Sequence, residues 1–306
     1  MPDDLPSVVV VGSINIDHIV TAPCFPRPGE TILGASVTSS VGGKGANQAV
    51  AAALAGASVA MVASTGDDAD GVTARQRLAE RGVQTTHVSV LATDATGMAW
   101  ITVAENDNTI IVIAGANARW PDGALPGCVG EASVVLSQLE IPMRVVRSAA
   151  EQTQGKFVLN AAPAAELPDD LLALCDVLVV NEQELAVVVG ADAIADEQRI
   201  AAAHEGLRNR GAMAVVTTRG AAGAVVTDAD GHTTMLDAPR TEVVDTTGAG
   251  DAFTGVLAAR LGAGEPLVRA ARWGVMAGSL AVQASGAQDS YPDFGALHRV
   301  AEEARS

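Results

Sequence analysis

Asp245-Thr246-Thr247-Gly248-Ala249-Gly250-Asp251 runs straight into Ala252-Phe253-Thr254-Gly255-Val256-Leu257-Ala258. Gly248 and Gly250 let the backbone come close to a ligand and take conformations that other residues resist. From Asp251 to Leu261 there is no proline, and Ala and Leu are frequent, which predicts a helix. A glycine turn that opens a helix aims several unpaired N–H groups at one point, where the helix dipole also favours negative charge. Such a junction suits an anion, and above all a phosphoryl group in transfer. Asp251 could simply cap the helix, and in an isolated G-x-G-D that would be the preferred reading. Beside a bound anion, however, a carboxylate makes better sense as a base that takes the proton of an attacking hydroxyl.

The composition agrees with a large, well-buried protein. The 306 residues fit one large α/β domain or two smaller ones, and 48% hydrophobic against 18% charged residues argues against disorder. Aromatic residues are only 3%, so the core must be built from Ala, Val, Leu and Ile. A formal charge of −17 argues against nucleic acid and anionic membrane surfaces as partners. It also obliges an anionic substrate to find a local site of backbone amides, a basic side chain and a divalent metal. Lys44 and Lys156 are the only lysines against seventeen arginines, which singles out a lysine in a glycine loop. Cys24, Cys128 and Cys175 are scattered without C-x-x-C spacing and indicate neither a disulfide framework nor a zinc site. The acidic start Met1-Pro2-Asp3-Asp4-Leu5-Pro6 lacks a signal-peptide pattern, and no apolar run approaches a membrane span, so a cytoplasmic protein is expected.

Towards the N-terminus, Val8-Val9-Val10-Val11-Gly12 reads as a buried strand of a parallel sheet. Ser13, Asn15, Asp17 and His18 follow its carboxyl end, where ligands sit in open α/β sheets. Asn15 and Asp17 alternate, so in an extended segment both point the same way. An amide and a carboxylate on one face suit a pair of sugar hydroxyls; a turn with local Asx bonds is the plainer alternative. Thr31 to Ser40 reads as an edge strand, and Gly97 to Val103 with Thr109 to Ile113 as a hairpin around Glu105-Asn106-Asp107-Asn108. These segments interrupt a rhythm of strands and helices that includes a helix from Gly71 to Arg81, strands at Val134–Leu136, Phe157–Asn160 and Val177–Val180, and a helix from Ala270 to Val282. They predict a small sheet acting as a lid. No repeat or long linker divides the chain, so residues 1–306 are expected to form a single domain, with lid strands from about 13–40 and 97–113.

Gly42-Gly43-Lys44-Gly45-Ala46-Asn47 opens a further predicted helix, Gln48 to Leu54. It is not a Walker loop, because Gly rather than Ser or Thr follows Lys44. The strings G-G-K-G-A-N-Q-A and, about two hundred residues later, D-T-T-G-A-G-D resemble in the right order the two signatures of the ribokinase-like (PfkB) carbohydrate kinases. The resemblance covers roughly residues 7 to 300. It implies a three-layer α/β/α sandwich with a mostly parallel central sheet, plus a small β-sheet lid. It also implies phosphorylation of a sugar by ATP, with D-ribose at its terminal 5-hydroxyl as the first expectation.

By the same resemblance, Asp251 would be the base, and Gly248, Ala249 and Gly250 would offer N–H groups to the γ-phosphate. Asn15, Asp17, Gly43, Lys44, Asn47 and Glu140 would hold the sugar. Asn181 and Glu184 match the family's N-x-x-E and lie on one helical face, close to the Mg²⁺ that the nucleotide carries; a capping box is compatible with this role. Thr217, Arg219, Gly220 and Ala222, with Gly250, would line the nucleotide. Potassium is expected among oxygens of Asp245, Thr247, Ala281, Ala284, Gly286 and Ser290. Val275 stands where relatives often carry a polar residue near adenine, and Ala161 replaces a proline of the family's N-P-A-P-A. Lids often pair two subunits in this family, so a homodimer is implied.

Three other readings stay open. One is a family kinase for fructose, a deoxysugar or a nucleoside. Another is a sugar-binding regulator without catalysis, against which the intact Asp251, Asn181 and Glu184 count. The third is a dinucleotide-dependent oxidoreductase, which the lack of G-x-G-x-x-G in Gly12-Ser13-Ile14-Asn15 opposes.

Overall fold

The computed structural model describes residues 7–105, 107–121, 123–194 and 196–303. Asn106 of the expected hairpin turn and the acidic residues 1–6 lie outside the described residues. The chain opens with β1 (Val8–Val11), β2 (Asn15–Thr21), β3 (Ser36–Gly42) and α1 (Lys44–Leu54). Next come β4 (Val59–Gly66), α2 (Ala69–Glu80), β5 (Val83–Leu91), β6 (Gly97–Ala104) and β7 (Asp107–Ile113). A middle stretch holds α3 (Cys128–Glu131), β8 (Val134–Ser137), α4 (Met143–Gln152), β9 (Lys156–Asn160), α5 (Asp169–Leu172) and β10 (Val177–Asn181). It continues through α6 (Glu182–Val189), α7 (Glu197–Asn209), β11 (Ala214–Thr218), β12 (Ala224–Thr227) and β13 (Thr233–Leu236). Helices α8 (Ala249–Gly262), α9 (Leu267–Ala281) and α10 (Phe294–Glu303) follow.

Nine strands form one sheet in the order β13-β12-β11-β10-β9-β8-β1-β4-β5. It is parallel from β5 to β11, and β12 and β13 add an antiparallel edge. The all-valine β1 explains its own central place. Side chains alternate across a strand, so Val8 and Val10 enter one core while Val9 and Val11 enter the other. The first core is closed by α1, α2, α8, α9 and α10, the second by α3 to α7. This is the expected three-layer sandwich. The chain steps from β1 through β4 to β5 in one direction and from β8 to β11 in the other, with the crossover helices on opposite faces, as one hand of crossover requires. The reversal lies between β1 and β8, and ligands of such sheets bind at that switch point.

The second sheet has the order β3-β2-β6-β7, with β2 and β6 parallel and the outer pairs antiparallel. Its edge strand β3 is Ser36–Gly42, later than the Thr31–Ser40 expected from polarity alternation. The polar run after β1 is itself a strand, because β2 pairs along its whole length with β3 on one side and β6 on the other. Tertiary pairing here overrides the turn chemistry of Asn15 and Asp17. Several apolar side chains of this sheet stay exposed, Val37, Trp100, Ile110, Ile111, Val112 and Ile113 among them.

Within the second core of the large sheet, His204 of α7 is fully buried. Its Nε2 lies 2.7 Å from Thr217 Oγ1 and its Nδ1 2.8 Å from Thr227 Oγ1. Burial pushes its pKa down to about 4. Among the described residues, no helix is long and apolar enough to cross a membrane.

Candidate active site

Asp251 sits in the first turn of α8 but does not cap it. Gly248 takes the cap position with φ 76°, a left-handed conformation that favours glycine, and no side chain caps the helix. Asp251 is 7% exposed, and its carboxylate turns towards α1. Asn47 Nδ2 donates to Oδ2 at 3.0 Å, and Gln48 Nε2 donates to Oδ1 at 2.9 Å. Each of these amides is itself held. Gln288 Nε2 donates to Asn47 Oδ1 at 3.0 Å, and Gln138 Nε2 donates to Gln48 Oε1 at 2.6 Å. Gln48 also donates to Asn160 Oδ1 at 2.9 Å. A buried carboxylate costs little when donors satisfy it, and this chain of amides supplies them without neutralising its charge.

A cavity of about 240 Å³ opens in front of that carboxylate, lined by Lys44, Asn181, Glu184, Gly248, Gly250 and Asp251 from the expected site. Asn160, Thr218, Thr246 and Thr254 line it as well. Burial alone would lower the pKa of Lys44, but Asp251, Glu140 and Glu184 together hold it above its ordinary value. Lys44 is therefore a cation facing three acids, on a chain whose net charge is strongly negative. At the start of α8, the N–H of Ala249 reaches the carbonyl of Thr246 at 3.3 Å. The N–H groups of Gly248, Gly250 and Asp251 have no partner among the described residues. The donor cradle is thus Gly248, Gly250 and Asp251, with Ala249 partly engaged.

Of the expected sugar residues, Asn47 bonds Asp251 directly, and Asp17 and Lys44 lie within reach of its charge. Gly43, with φ 86°, brings the glycine loop against the backbone of Asn15: a Cβ on Gly43 would lie 2.8 Å from Asn15 N. Glu140 accepts from Ser13 Oγ at 2.6 Å and from Lys44 N–H at 2.9 Å, which fixes the loop to the end of β1. Asn15 accepts from Asn117 Nδ2 at 2.8 Å. Asp17 faces Gly42, where a Cβ would collide with its carboxylate. Burial, then the charges of Glu140 and Asp251, push the Asp17 pKa up to about 6.

Asn181 and Glu184 form a capping box at α6: Asn181 Oδ1 accepts from Glu184 N–H, and Glu184 Oε2 accepts from Asn181 N–H, both at 2.8 Å. Burial raises the Glu184 pKa despite that hydrogen bond and the nearby Lys44. Asp245 binds the segment after α9, its Oδ2 accepting from Gly286 N–H and its Oδ1 from Thr247 N–H, both at 2.9 Å. Burial works to raise the Asp245 pKa, but these bonds win and lower it. They bring Asp245 and Thr247 beside the segment that holds Ala284, Gly286 and Ser290, and Ala281 ends the preceding helix. An expected set of side-chain and carbonyl oxygens from these residues would suit a hard cation.

The nucleotide residues divide. Thr217 does not point into the cavity; its hydroxyl is bonded to His204. Its neighbour Thr218 lines the cavity instead, since adjacent residues of a strand face opposite ways. Arg219 is tied to Glu197 at 2.9 Å and to Glu182 at 3.4 Å. Gly220 and Ala222 lie on the short exposed turn between β11 and β12. Sequence reasoning missed the second rank of amides, Gln48, Gln138, Asn160, Gln288 and Asn117. The available signal was the amide of Gln48, directly ahead of a run made only of Ala, Val and Leu.

The chain matches the family described as pfkB family carbohydrate kinase over residues 5–293. It is 37% identical over 293 residues to the ribokinase of Haemophilus influenzae, covering 94% of this chain and 95% of that one. It is 32% identical over 295 residues to the deoxyribokinase of Salmonella typhi, covering 94% and 96%. Among solved structures it is similar to an Arabidopsis thaliana ribokinase complexed with ribose and ATP, with a TM-score of 0.89, 30% identity and coverage of 96% of this chain and 98% of that one. Sequence and fold agree along almost the whole length, and the chain belongs to the pfkB family of carbohydrate kinases.

Proposed function

We propose that this carbohydrate kinase transfers the γ-phosphoryl group of ATP to the 5-hydroxyl of D-ribose, giving ribose 5-phosphate and ADP. The observation that carries the reading is one buried carboxylate, Asp251, beside N–H groups without partners among the described residues and lining the same cavity as Lys44. Asp251 takes the hydroxyl proton as the oxygen attacks phosphorus. The N–H groups of Gly248, Gly250 and Asp251 face the charge that develops on the phosphoryl oxygens, and Lys44 adds a positive charge beside them. Asn15, Asp17, Asn47 and Glu140 orient the acceptor sugar, with Gly43 giving it room. The nucleotide extends past Thr218 towards Gly220 and Ala222.

Asn181 and Glu184 would hold waters of the Mg²⁺ that accompanies ATP, whose charge neutralises the phosphates. Asp245, Thr247, Ala281, Ala284, Gly286 and Ser290 would hold potassium, steadying the loop before α8. The small sheet serves as a lid on one domain, and its exposed row from Ile110 to Ile113 supports a homodimer paired through these sheets. Three free cysteines accord with the reducing cytoplasm.

A coupled ADP-release assay over ribose, deoxyribose, fructose and nucleosides, with and without potassium, tests the reading. Ribose should give the highest kcat/KM. A clear preference for deoxyribose would transfer the assignment to the activity of the Salmonella relative, and no turnover with any sugar would refute a kinase.

A further inference from the structure

Thr254 lines the cavity in front of Asp251, yet the chemistry above gives it no part. It is 1% exposed, and the other buried residues of α8 after Asp251 are Ala, Phe, Gly, Val and Leu. Its Oγ1 donates to the carbonyl of Gly250 at 2.8 Å, one turn back along the helix. Such a bond is ordinary by itself: Thr73 makes it to Ala69, also at 2.8 Å, on the exposed side of α2. What sets Thr254 apart is the peptide that receives the bond. The Gly250 carbonyl and the Asp251 N–H belong to one peptide unit. That N–H is one of the cradle donors without a partner among the described residues. In an α-helix each carbonyl points towards the C-terminus and each N–H towards the N-terminus, so this donor faces out of the helix start.

The helical pattern already offers the Gly250 carbonyl the N–H of Thr254, and the hydroxyl adds a second donor to the same oxygen. Hydrogen bonds joined in a chain polarise one another. Charge drawn onto the carbonyl oxygen leaves the N–H at the other end of the peptide more positive and a stronger donor. The bond also sets the tilt of that peptide, because a threonine that bonds back one turn bends the helix locally. We propose that Thr254 is a positioning residue whose hydroxyl polarises and orients the Gly250–Asp251 peptide, so that the Asp251 N–H meets the phosphoryl group as its charge shifts. The proposal rests on the kinase reading above and adds to it a side chain that reaches the phosphoryl group only through the backbone.

Thr254→Val keeps the shape and removes the hydroxyl, and the Gly250 carbonyl retains its helical partner, so stability in urea should stay close to wild type. Its kcat should fall about 3- to 10-fold, the scale of one hydrogen bond, with KM for ATP and for ribose within about 2-fold. Thr254→Ser restores the hydroxyl and should recover kcat to within about 2-fold of wild type. A second measurement needs no turnover. ADP with magnesium, aluminium fluoride and ribose mimics the phosphoryl group in transfer. Its affinity should weaken by the same factor in Thr254→Val and in Thr254→Ala, while that of a non-hydrolysable ATP analogue holds. An unchanged kcat in Thr254→Val overturns the proposal. So does a Thr254→Ser as slow as Thr254→Val, or an equal weakening of both ligands. If wild type phosphorylates ribose while Thr254→Val behaves identically, the proposal fails and the kinase reading stands. If wild type phosphorylates no sugar, the kinase reading fails and takes the proposal with it.

Discussion

Helices α1 and α8 begin alike and are used differently. Gly43 leads one with φ 86°, Gly248 the other with φ 76°, and no side chain of the cap residue closes either. In α1 the first turn is fully satisfied. Lys44 N–H donates to Glu140 at 2.9 Å, Gly45 N–H to Ser13 Oγ at 3.2 Å, and Ala46 N–H to the Ser13 carbonyl at 2.9 Å. In α8 only Ala249 finds a partner among the first three positions, while Gly250 and Asp251 have none among the described residues. The protein's own carboxylate, Glu140, fills one helix start, while the other keeps donors without partners among the described residues, which the function proposed above gives to the phosphoryl group. Similar local chemistry thus gives a satisfied helix start in one place and unpartnered donors in the other; the tertiary partner decides which.

The contrast is broken most severely at Asp251. Asp251→Asn keeps the shape but cannot take a proton, so kcat should fall by ~10²–10⁴, about 3–5 kcal/mol of barrier. Turnover near wild type in a steady-state assay would remove Asp251 as the base. A paired glycine test comes next. Gly248→Ala forces a Cβ into a left-handed position, 2.7 Å from Ala287 Cβ, and should cost about 1–3 kcal/mol in urea unfolding. Gly250→Ala meets nothing within 4 Å, so stability should hold or rise slightly, and any loss of kcat would then report on the phosphoryl cradle alone. Equal stability losses at both positions would show that the two glycines are merely structural.

A smaller effect should come from the amide rank behind the base. Gln48→Leu removes one donor to Asp251 and should lower kcat about 10-fold while leaving the sugar KM within about 2-fold, a split that a general loss of fold would not give. The smallest is a pH dependence on the α1 side. Asp17 titrates near pH 6, so the sugar KM should rise as pH falls through 6 and level off above it. In Asp17→Asn that dependence should vanish; a KM that still follows pH in the variant would assign the titration to another group.

Much of this was legible in advance. The four-valine strand and the two glycine strings, in order and through the family they resemble, led to the sandwich, because buried parallel strands and glycine-led helix starts leave strong local marks. The exact face of β11 was not legible. Thr217 and Thr218 are alike in composition, and only the packing of His204 against one of them settles which hydroxyl meets the cavity. Nor could Gln138 and Gln288 be read, since they reach the base through contacts of 90 and 241 residues in separation.

His204 carries a cost on acidification. Wedged between two threonine hydroxyls, its imidazole refuses a proton until about pH 4, whereas an ordinary imidazole, as in the unfolded chain, takes one near 6.5. Between those values the unfolded state binds the extra proton, so stability is complete above 6.5 and drains as pH falls, by at most about 3 kcal/mol. Thermal melts from pH 7 to 4.5 should show this slope, and His204→Gln should flatten it. Souring the medium would therefore act along two independent routes, on the function proposed above a reversible loosening of the sugar at Asp17, and a loss of stability begun behind the sheet at a ring held between two threonines.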